Sequence, residues 1–138
     1  MTRVNVIPVS ELSDQHLIAE YRELPRTLKQ EMDLTNVSPT YILGKGHAKW
    51  ARRHWKFTLN RLFDLHKEML YRGFKPSYEP AMITIHMNTL IDHYNDSDAD
   101  YIVTESDIEL NRQRILERYN TNKGFYKWSK RKQPIWML

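Results

Sequence analysis

The sequence has no cysteine among its 138 residues. That excludes disulfides, thiolate-bound zinc, iron–sulfur clusters and a cysteine nucleophile, and it is compatible with a reducing cytosol. No apolar run approaches the ~20 residues a membrane-spanning helix needs. The opening Met1-Thr2-Arg3-Val4-Asn5 lacks the apolar stretch of a signal peptide. Metal motifs are missing as well. There is no HExxH, and neither His54/His66 nor His86/His93 has the i, i+4 spacing that would put two ligands on one helix face. No internal repeat or low-complexity tract occurs. Hydrophobic residues make up 41% and aromatics 12%, enough for one core and too much for disorder. The expectation is a single domain, 1–138, that is soluble, cytoplasmic and monomeric, with no metal, no cofactor and no membrane partner.

Charge is not scarce, but each sign is missing from long stretches. From Leu34 to Phe63 there are six basic residues and no acid. From Pro76 to Asn111 there are eight acids and no base, and from Arg118 to Leu138 again six basic residues and no acid. Such segregation creates a field, and the partner it suits on the basic side is a polyanion. The competing reading is a set of ordinary solvated helix faces.

Helical periodicity dominates. Ser10 or Ser13 can cap a first helix whose Leu17, Tyr21, Leu24 and Leu28 face inward, with Pro25 as a kink or an end. A second helix is expected from His47 to Arg72, with Trp55, Leu59, Leu62, His66 and Met69 inward, Gly73 as C-terminal cap and Pro76 beyond it. Ala81 to Ile91 reads as a short helix, an irregular segment or, from the alternation of Ile83 and Ile85, a strand. Thr104 and Asp107 form a capping-box pattern ahead of a third helix with Ile108, Ile115 and Tyr119 inward. The fold class is all-α, with three main helices, long connections and a basic aromatic tail.

Two features point toward nucleic acid. Lys49, Arg52, Arg53 and Lys56 recur at i, i+3, i+4 and i+7, which places four cations on one helix face. A phosphate backbone would relieve their mutual repulsion and release counterions. Lys45 and His47 lie just before this row and are within reach of the same phosphates. In the tail, Phe125, Tyr126, Trp128 and Trp136 interleave with Lys123, Lys127, Lys130, Arg131 and Lys132. Aromatic faces can stack on bases while the cations hold phosphate. The tail can equally close the core, and we expect at least one of these aromatics to be buried.

The N-terminal segment carries the chemistry. Arg22, Glu23 and Arg26 sit together on the first helix, and a lone carboxylate in a basic groove is repelled by phosphate, so its presence calls for a reason. Orienting the two arginines is one reason and catalysis is the other. Thr2 follows a removable initiator methionine. A free α-amine there titrates near 7.7–8.0, against about 10.4 for lysine, so a usable fraction is unprotonated at neutral pH. Such an amine attacks an aldehyde-like carbon to give an imine.

Met-Thr-Arg-Val-Asn, then Val9 to Arg26, closely resembles the pyrimidine-dimer DNA glycosylases of phage endonuclease V type. Ser38 to His47 and the spacing through to Arg72-Gly73-Phe74 are similar to that family, and Phe125-Tyr126-Lys127 resembles its aromatic-Tyr-Lys segment. The resemblance implies an all-α repair enzyme that excises cyclobutane pyrimidine dimers from duplex DNA and cleaves abasic sites. It acts without a metal or cofactor; for a phage-encoded member the setting is the host-cell cytoplasm. Carried over by position, Thr2 is the nucleophile and Glu23 serves both the glycosylase step and the β-elimination. Arg3, Arg22 and Arg26 clamp phosphates, Gln15 and His16 line the site, and a base is flipped to make room. Lys45, Lys49, Arg52, Arg53, Lys56, Phe125, Tyr126, Lys127 and Trp128 are expected to touch DNA. Three departures stand out: a short acidic link from Arg26 to Ser38, Phe125 where tryptophan is expected, and the unmatched acidic middle. The alternatives are a non-catalytic DNA-binding or bending module, and an abasic-site lyase without dimer recognition.

Overall fold

The all-α expectation holds in a computed structural model, which describes residues 3–138. Among the described residues there are six α-helices, five short 3-10 turns and no strand. Helix α1 (Asp14–Glu23) begins where the Ser13 side chain accepts the His16 N–H. That bond satisfies one donor a helix start leaves orphaned. Leu24 keeps right-handed helical dihedrals, and α2 (Pro25–Lys29) continues from it with Pro25 in the first turn, where its missing N–H costs little. Leu17, Tyr21, Leu24 and Leu28 are all buried, as their spacing requires.

The expected helix from His47 to Arg72 is two helices, α3 (His47–Arg53) and α4 (Trp55–Tyr71), broken at His54 (φ −95°, ψ 52°). The break has a tertiary cause. The His54 Nδ1–H donates to the Asp98 carbonyl at 2.6 Å, and the Thr58 hydroxyl covers the Ala51 carbonyl that the break frees, at 2.7 Å. Of the expected inward stripe, Trp55, Leu62 and Met69 are buried, while Leu59 and His66 are half-buried. Helix α4 stops at Gly73, whose φ of +86° only glycine adopts freely. Gly73 N–H and Phe74 N–H close back on the Leu70 and Met69 carbonyls.

The segment 80–93 is neither a single helix nor a strand. A 3-10 turn (Pro80–His86) leads into the short helix α5 (Asn88–His93), and Ile83, Met87 and Leu90 supply the buried contacts. Helix α6 (Glu105–Thr121) starts with the expected capping box: Thr104 Oγ1 accepts the Asp107 N–H, and Asp107 Oδ2 accepts the Thr104 N–H.

Two irregular segments complete the molecule. Residues 5–7 lie in neither helix nor strand, with a bend at Ile7, so side chains satisfy their backbone. Asn111 Oδ1 accepts both Val6 N–H (2.8 Å) and Ile7 N–H (3.2 Å), and Arg61 donates to the Ile7 carbonyl. Leaving such buried groups unpaired would cost about 1–3 kcal/mol each. The C-terminal segment wraps back over the start of α1. The Lys127 carbonyl accepts the Asp14 N–H at 2.7 Å, and the Asp14 carboxylate accepts from Ser129 N–H and Oγ and from Arg72. Trp128 donates its indole N–H to the Glu11 carbonyl, and Met137 is buried. The tail is a strap that completes the core; Trp128 and Trp136 are half-buried against it, and Phe125 stays 54% exposed.

Candidate active-site cleft

The face of α1 opposite its core stripe carries Gln15, His16, Ala19, Glu20 and Glu23. These residues form one wall of a cleft of about 320 Å³. Arg3 and Asn5 of the N-terminal arm, Arg118 near the end of α6, and Phe125 with Tyr126 of the strap form the rest. The volume lies at the lower end of the ~300–1,000 Å³ typical of sites for small groups. The helical spacing of the first segment, the arm and the aromatic tail, far apart in sequence, therefore meet at one place.

Two carboxylates reach this cleft, and their surroundings separate them. Glu20 is fully engaged. It receives Arg61 Nε at 2.8 Å and Nη2 at 3.1 Å, and Asn5 Nδ2 at 2.7 Å. Its side chain is 1% exposed. Among the described residues Glu23 has only a loose approach from Arg22, at 3.8 Å, with 30% of its side chain exposed. A carboxylate already saturated by an arginine and an amide cannot exchange a proton with a substrate at low cost. Glu23 retains that freedom.

The electrostatics around it are cationic. Burial and the neighbouring Arg118 and Arg114 lower the Arg3 pKa, though an arginine remains charged at any physiological pH. His16 is pushed down to about 4, first by burial and then by Arg3 and Arg118, so its imidazole is neutral at pH 7. Its ring stacks on Tyr126 with centroids 4.8 Å apart and planes within 7°. Phe125 stands edge-on to Tyr126 at 5.1 Å. The strap thus sets a flat aromatic surface beside a positive wall, the combination that receives an unstacked base with its phosphates.

Among the expected site residues, Arg3, Gln15, His16, Glu23, Phe125 and Tyr126 come together in the cleft. Thr2 lies outside the described residues. Arg22 and Arg26 remain one turn apart, both exposed, because Leu24 preserves the helical path between them. Lys127 binds the cleft wall through its backbone, its N–H donating to Gln15 Oε1 at 3.0 Å, and its side chain is exposed. Trp128 is structural, as its bond to Glu11 shows. Lys45, Lys49 and Lys56 are exposed.

The expected row of four cations is broken. Arg52 is 3% exposed, and its Nη1 donates to the Leu28 carbonyl at 3.0 Å and the Thr27 carbonyl at 3.3 Å. It caps the open end of α2, because carbonyls in a last turn have no helical partner. Arg53 makes a two-pronged contact with Asp96 at 2.7 and 3.1 Å. Its guanidinium also lies 4.9 Å over the Tyr94 ring. His47 is 4% exposed and faces the interior, so it offers nothing to phosphate.

Asn5, Ala19, Glu20 and Arg118 line the cleft without having been singled out in the sequence. Arg118 carried a signal, since it opens the second acid-free block. Glu20 carried one too, four residues after His16 and three before Glu23 on the same helix face.

No helix among the described residues is long and apolar enough to cross a membrane. The sequence model of the pyrimidine dimer DNA glycosylase family matches residues 1–81, which contain the arm, α1 and all of α4. With more than half of its length matched and its α1 carboxylate set in a cationic cleft, this chain belongs to the pyrimidine dimer DNA glycosylase family.

Proposed function

We propose that the protein excises pyrimidine dimers by attack of the Thr2 α-amine on the deoxyribose C1′ and then cuts the strand at the abasic sugar. In this reading the amine forms a bond to C1′ and gives up a proton. The glycosidic bond breaks with its electron pair passing to the base. Ring opening converts the adduct to an imine, and the ring oxygen takes a proton. Glu23 then removes a proton from C2′, and the C3′–O bond breaks with its electrons leaving on the 3′ phosphate. Imine chemistry of this kind needs no metal.

The observation that carries the proposal is the difference between the two cleft carboxylates. Glu20 is locked to Arg61 and Asn5, and Glu23 is the one left able to move a proton. Arg3 and Arg118 supply positive charge for the phosphates beside a displaced sugar, and the His16–Tyr126 stack with Phe125 supplies a surface for an unstacked base. The dimer itself weakens stacking, which lowers the cost of extrusion. In this reading the enzyme works on duplex DNA as a monomer and as one domain, 1–138; a core that runs from Val4 to Met137 supports the single domain.

The test is borohydride trapping on ultraviolet-irradiated duplex and, separately, on duplex with a defined abasic site. A covalent adduct with both, mapped by peptide mass spectrometry to Thr2, is the expected result. Trapping on the abasic duplex alone would reduce the activity to a lyase. No adduct and no nicking, with binding intact, would leave a DNA-binding module. A mature chain that retains Met1 would remove the nucleophile from the scheme.

A further inference from the structure

We propose that His47, assisted by Tyr41, is a positioning residue that fixes the direction in which the N-terminal arm enters the cleft. The catalytic consequence rests on the Thr2 reading above; the clamp itself does not.

The arm needs such a device for a plain physical reason. Its described residues lie in neither helix nor strand, so no ladder sets its orientation. At Val4, which is fully buried, both backbone groups are gripped by side chains from one short stretch. The Val4 N–H donates to His47 Nε2 at 2.8 Å, and the Tyr41 hydroxyl donates to the Val4 carbonyl at 2.9 Å. Two bonds on opposite edges of one peptide segment fix its rotation as well as its position.

His47 is itself fixed before it meets the arm. Its Nδ1 lies 2.6 Å from the Ile42 carbonyl. A carbonyl can only accept, so Nδ1 carries the proton and Nε2 presents a lone pair. That lone pair is what the Val4 N–H needs. A protonated ring would aim an N–H at another N–H. Burial, together with the charge of Arg3, disfavours protonation, and the ring stays in the accepting form.

The local chain is shaped to hold this ring. His47 opens α3 directly after Gly46, whose φ of +88° turns the chain sharply, and a Cβ at Gly46 would meet Ile42 Cδ1 at 3.0 Å. Ile42 and His47 can therefore close on each other. The His47 ring lies 6.1 Å from Trp50 in a stacked arrangement, and Tyr41 stands edge-on to both rings. None of these groups lines the cleft. They act through the arm.

The leverage is geometric. Arg3, the residue before Val4, lines the cleft, and two residues of chain reach at most ~7 Å. A rotation of ~10° at Val4 therefore displaces the far end by about 1 Å. A misplacement of that size in a reacting group costs ~10²-fold in rate.

Three substitutions test the clamp: His47→Phe removes the acceptor, His47→Gln offers Oε1 in place of Nε2, and Tyr41→Phe removes one hydroxyl. The readouts are the single-turnover rate of borohydride-trapped adduct on an abasic duplex, affinity for undamaged duplex, melting temperature, and amide hydrogen exchange at Val4. We expect His47→Phe to lower the trapping rate ~10²-fold with affinity for undamaged duplex within twofold. We expect His47→Gln to recover most of that loss, and Tyr41→Phe to show a smaller loss with a modest fall in melting temperature, since the buried Val4 carbonyl loses its partner. A His47→Phe rate within twofold of the native protein overturns the proposal, and so does a loss that His47→Gln does not recover. Where His47→Phe does not fold, Tyr41→Phe decides by the same rate and exchange measurements. Val4 exchange separates this proposal from the reaction scheme. An unprotected Val4 amide in the native protein sinks the clamp even if Thr2 is the nucleophile, and a protected amide that His47→Gln preserves upholds it even if Thr2 is not.

Discussion

The broken cationic row on α3 and α4 and the cationic cleft beside α1 contain similar residues in opposite conditions. In the row, Arg52 is spent on the carbonyls of α2 and Arg53 on Asp96, leaving only the lysines to solvent. In the cleft, Arg3 and Arg118 have no carboxylate within 4.0 Å among the described residues, and burial and the nearby charge of Arg118 disfavour the charge of Arg3. The first arrangement is electrostatically satisfied; the second is improved by an incoming anion. Net charge in a sequence is therefore a poor guide to a binding face until the internal partners of each cation are known. The acidic segment gains a role from the same comparison. Asp96 and Asp98 supply the internal counter-charge to Arg53, and Asp107 caps α6 while accepting the Tyr101 hydroxyl at 2.6 Å.

The largest effect that would sharpen this contrast lies in the cleft. Glu23→Gln keeps the shape and removes the proton-transfer group. Cleavage of abasic duplex should fall ~10²- to 10⁴-fold, the range for a lost general acid–base. Affinity for dimer-containing duplex should hold, because the variant removes a negative charge from a phosphate site. Quantitative gel cleavage beside equilibrium binding reads both, and a rate within tenfold of the native enzyme would return Glu23 to the status of an arginine tether.

Arg52→Ala should act on the fold instead. Its loss leaves the Thr27 and Leu28 carbonyls uncapped and empties a buried position, while Glu31, 81% exposed, is not stranded. We expect a loss of about 2–3 kcal/mol, or ~10 °C in melting temperature, with the salt dependence of DNA binding unchanged. A normal melting temperature with a flatter salt slope would restore Arg52 to the DNA face.

What the sequence made legible was local. The Ser13 cap, the Thr104–Asp107 box, the Gly73 stop and the Leu17–Leu28 stripe are each decided within a few residues, so residue type and spacing suffice. What it hid depends on partners far along the chain. The break at His54 is set by carbonyls at Asp98 and Asp100, and the commitment of Arg52 by the end of α2. Glu20 was not singled out, because the partner that holds it buried beneath the arm, Arg61, lies 41 residues away. Asn111 bonds Val6 across 105 residues, and no periodicity announces that. The cleft followed the same rule: its α1 wall was readable from one helix, and its Arg118 corner required the fold.

Acidification tests the neutral histidines that both regions bury. His16 falls from an ordinary value near 6.5 to about 4 on folding, and the His47 pKa is also lowered. The unfolded chain therefore binds more protons than the folded one as pH drops through that interval. Stability is full above pH ~6.5 and declines toward pH 4, in the sense that ∂ΔG/∂pH is positive there. Urea unfolding at steps of pH should show this slope, and His16→Gln should reduce it. The lowered pKa values of Asp14 and Glu68 add a further loss at lower pH, after their carboxylates begin to protonate. A flat profile between pH 6.5 and 4 would mean that the His16–Tyr126 stack is open to water in solution.

The smallest effect is the most direct on the comparison, because it converts a satisfied cation into an available one. Asp96→Asn withdraws the charge that holds Arg53, with Asp98, 3.8 Å away, as a weaker substitute. Both acids are exposed, so stability should change by less than ~1 kcal/mol. If Arg53 then turns to DNA, the slope of log affinity against log salt should steepen by at most ~1, the contribution of one added phosphate contact. Arg118→Ala should move the slope the other way by a similar amount, since that arginine already faces the cleft. Equal slopes in the native protein and Asp96→Asn would place the α3 row away from the path of the duplex. A steeper slope would show that the acidic segment, unmatched in the family's sequence model beyond residue 81, restrains DNA binding at its own edge.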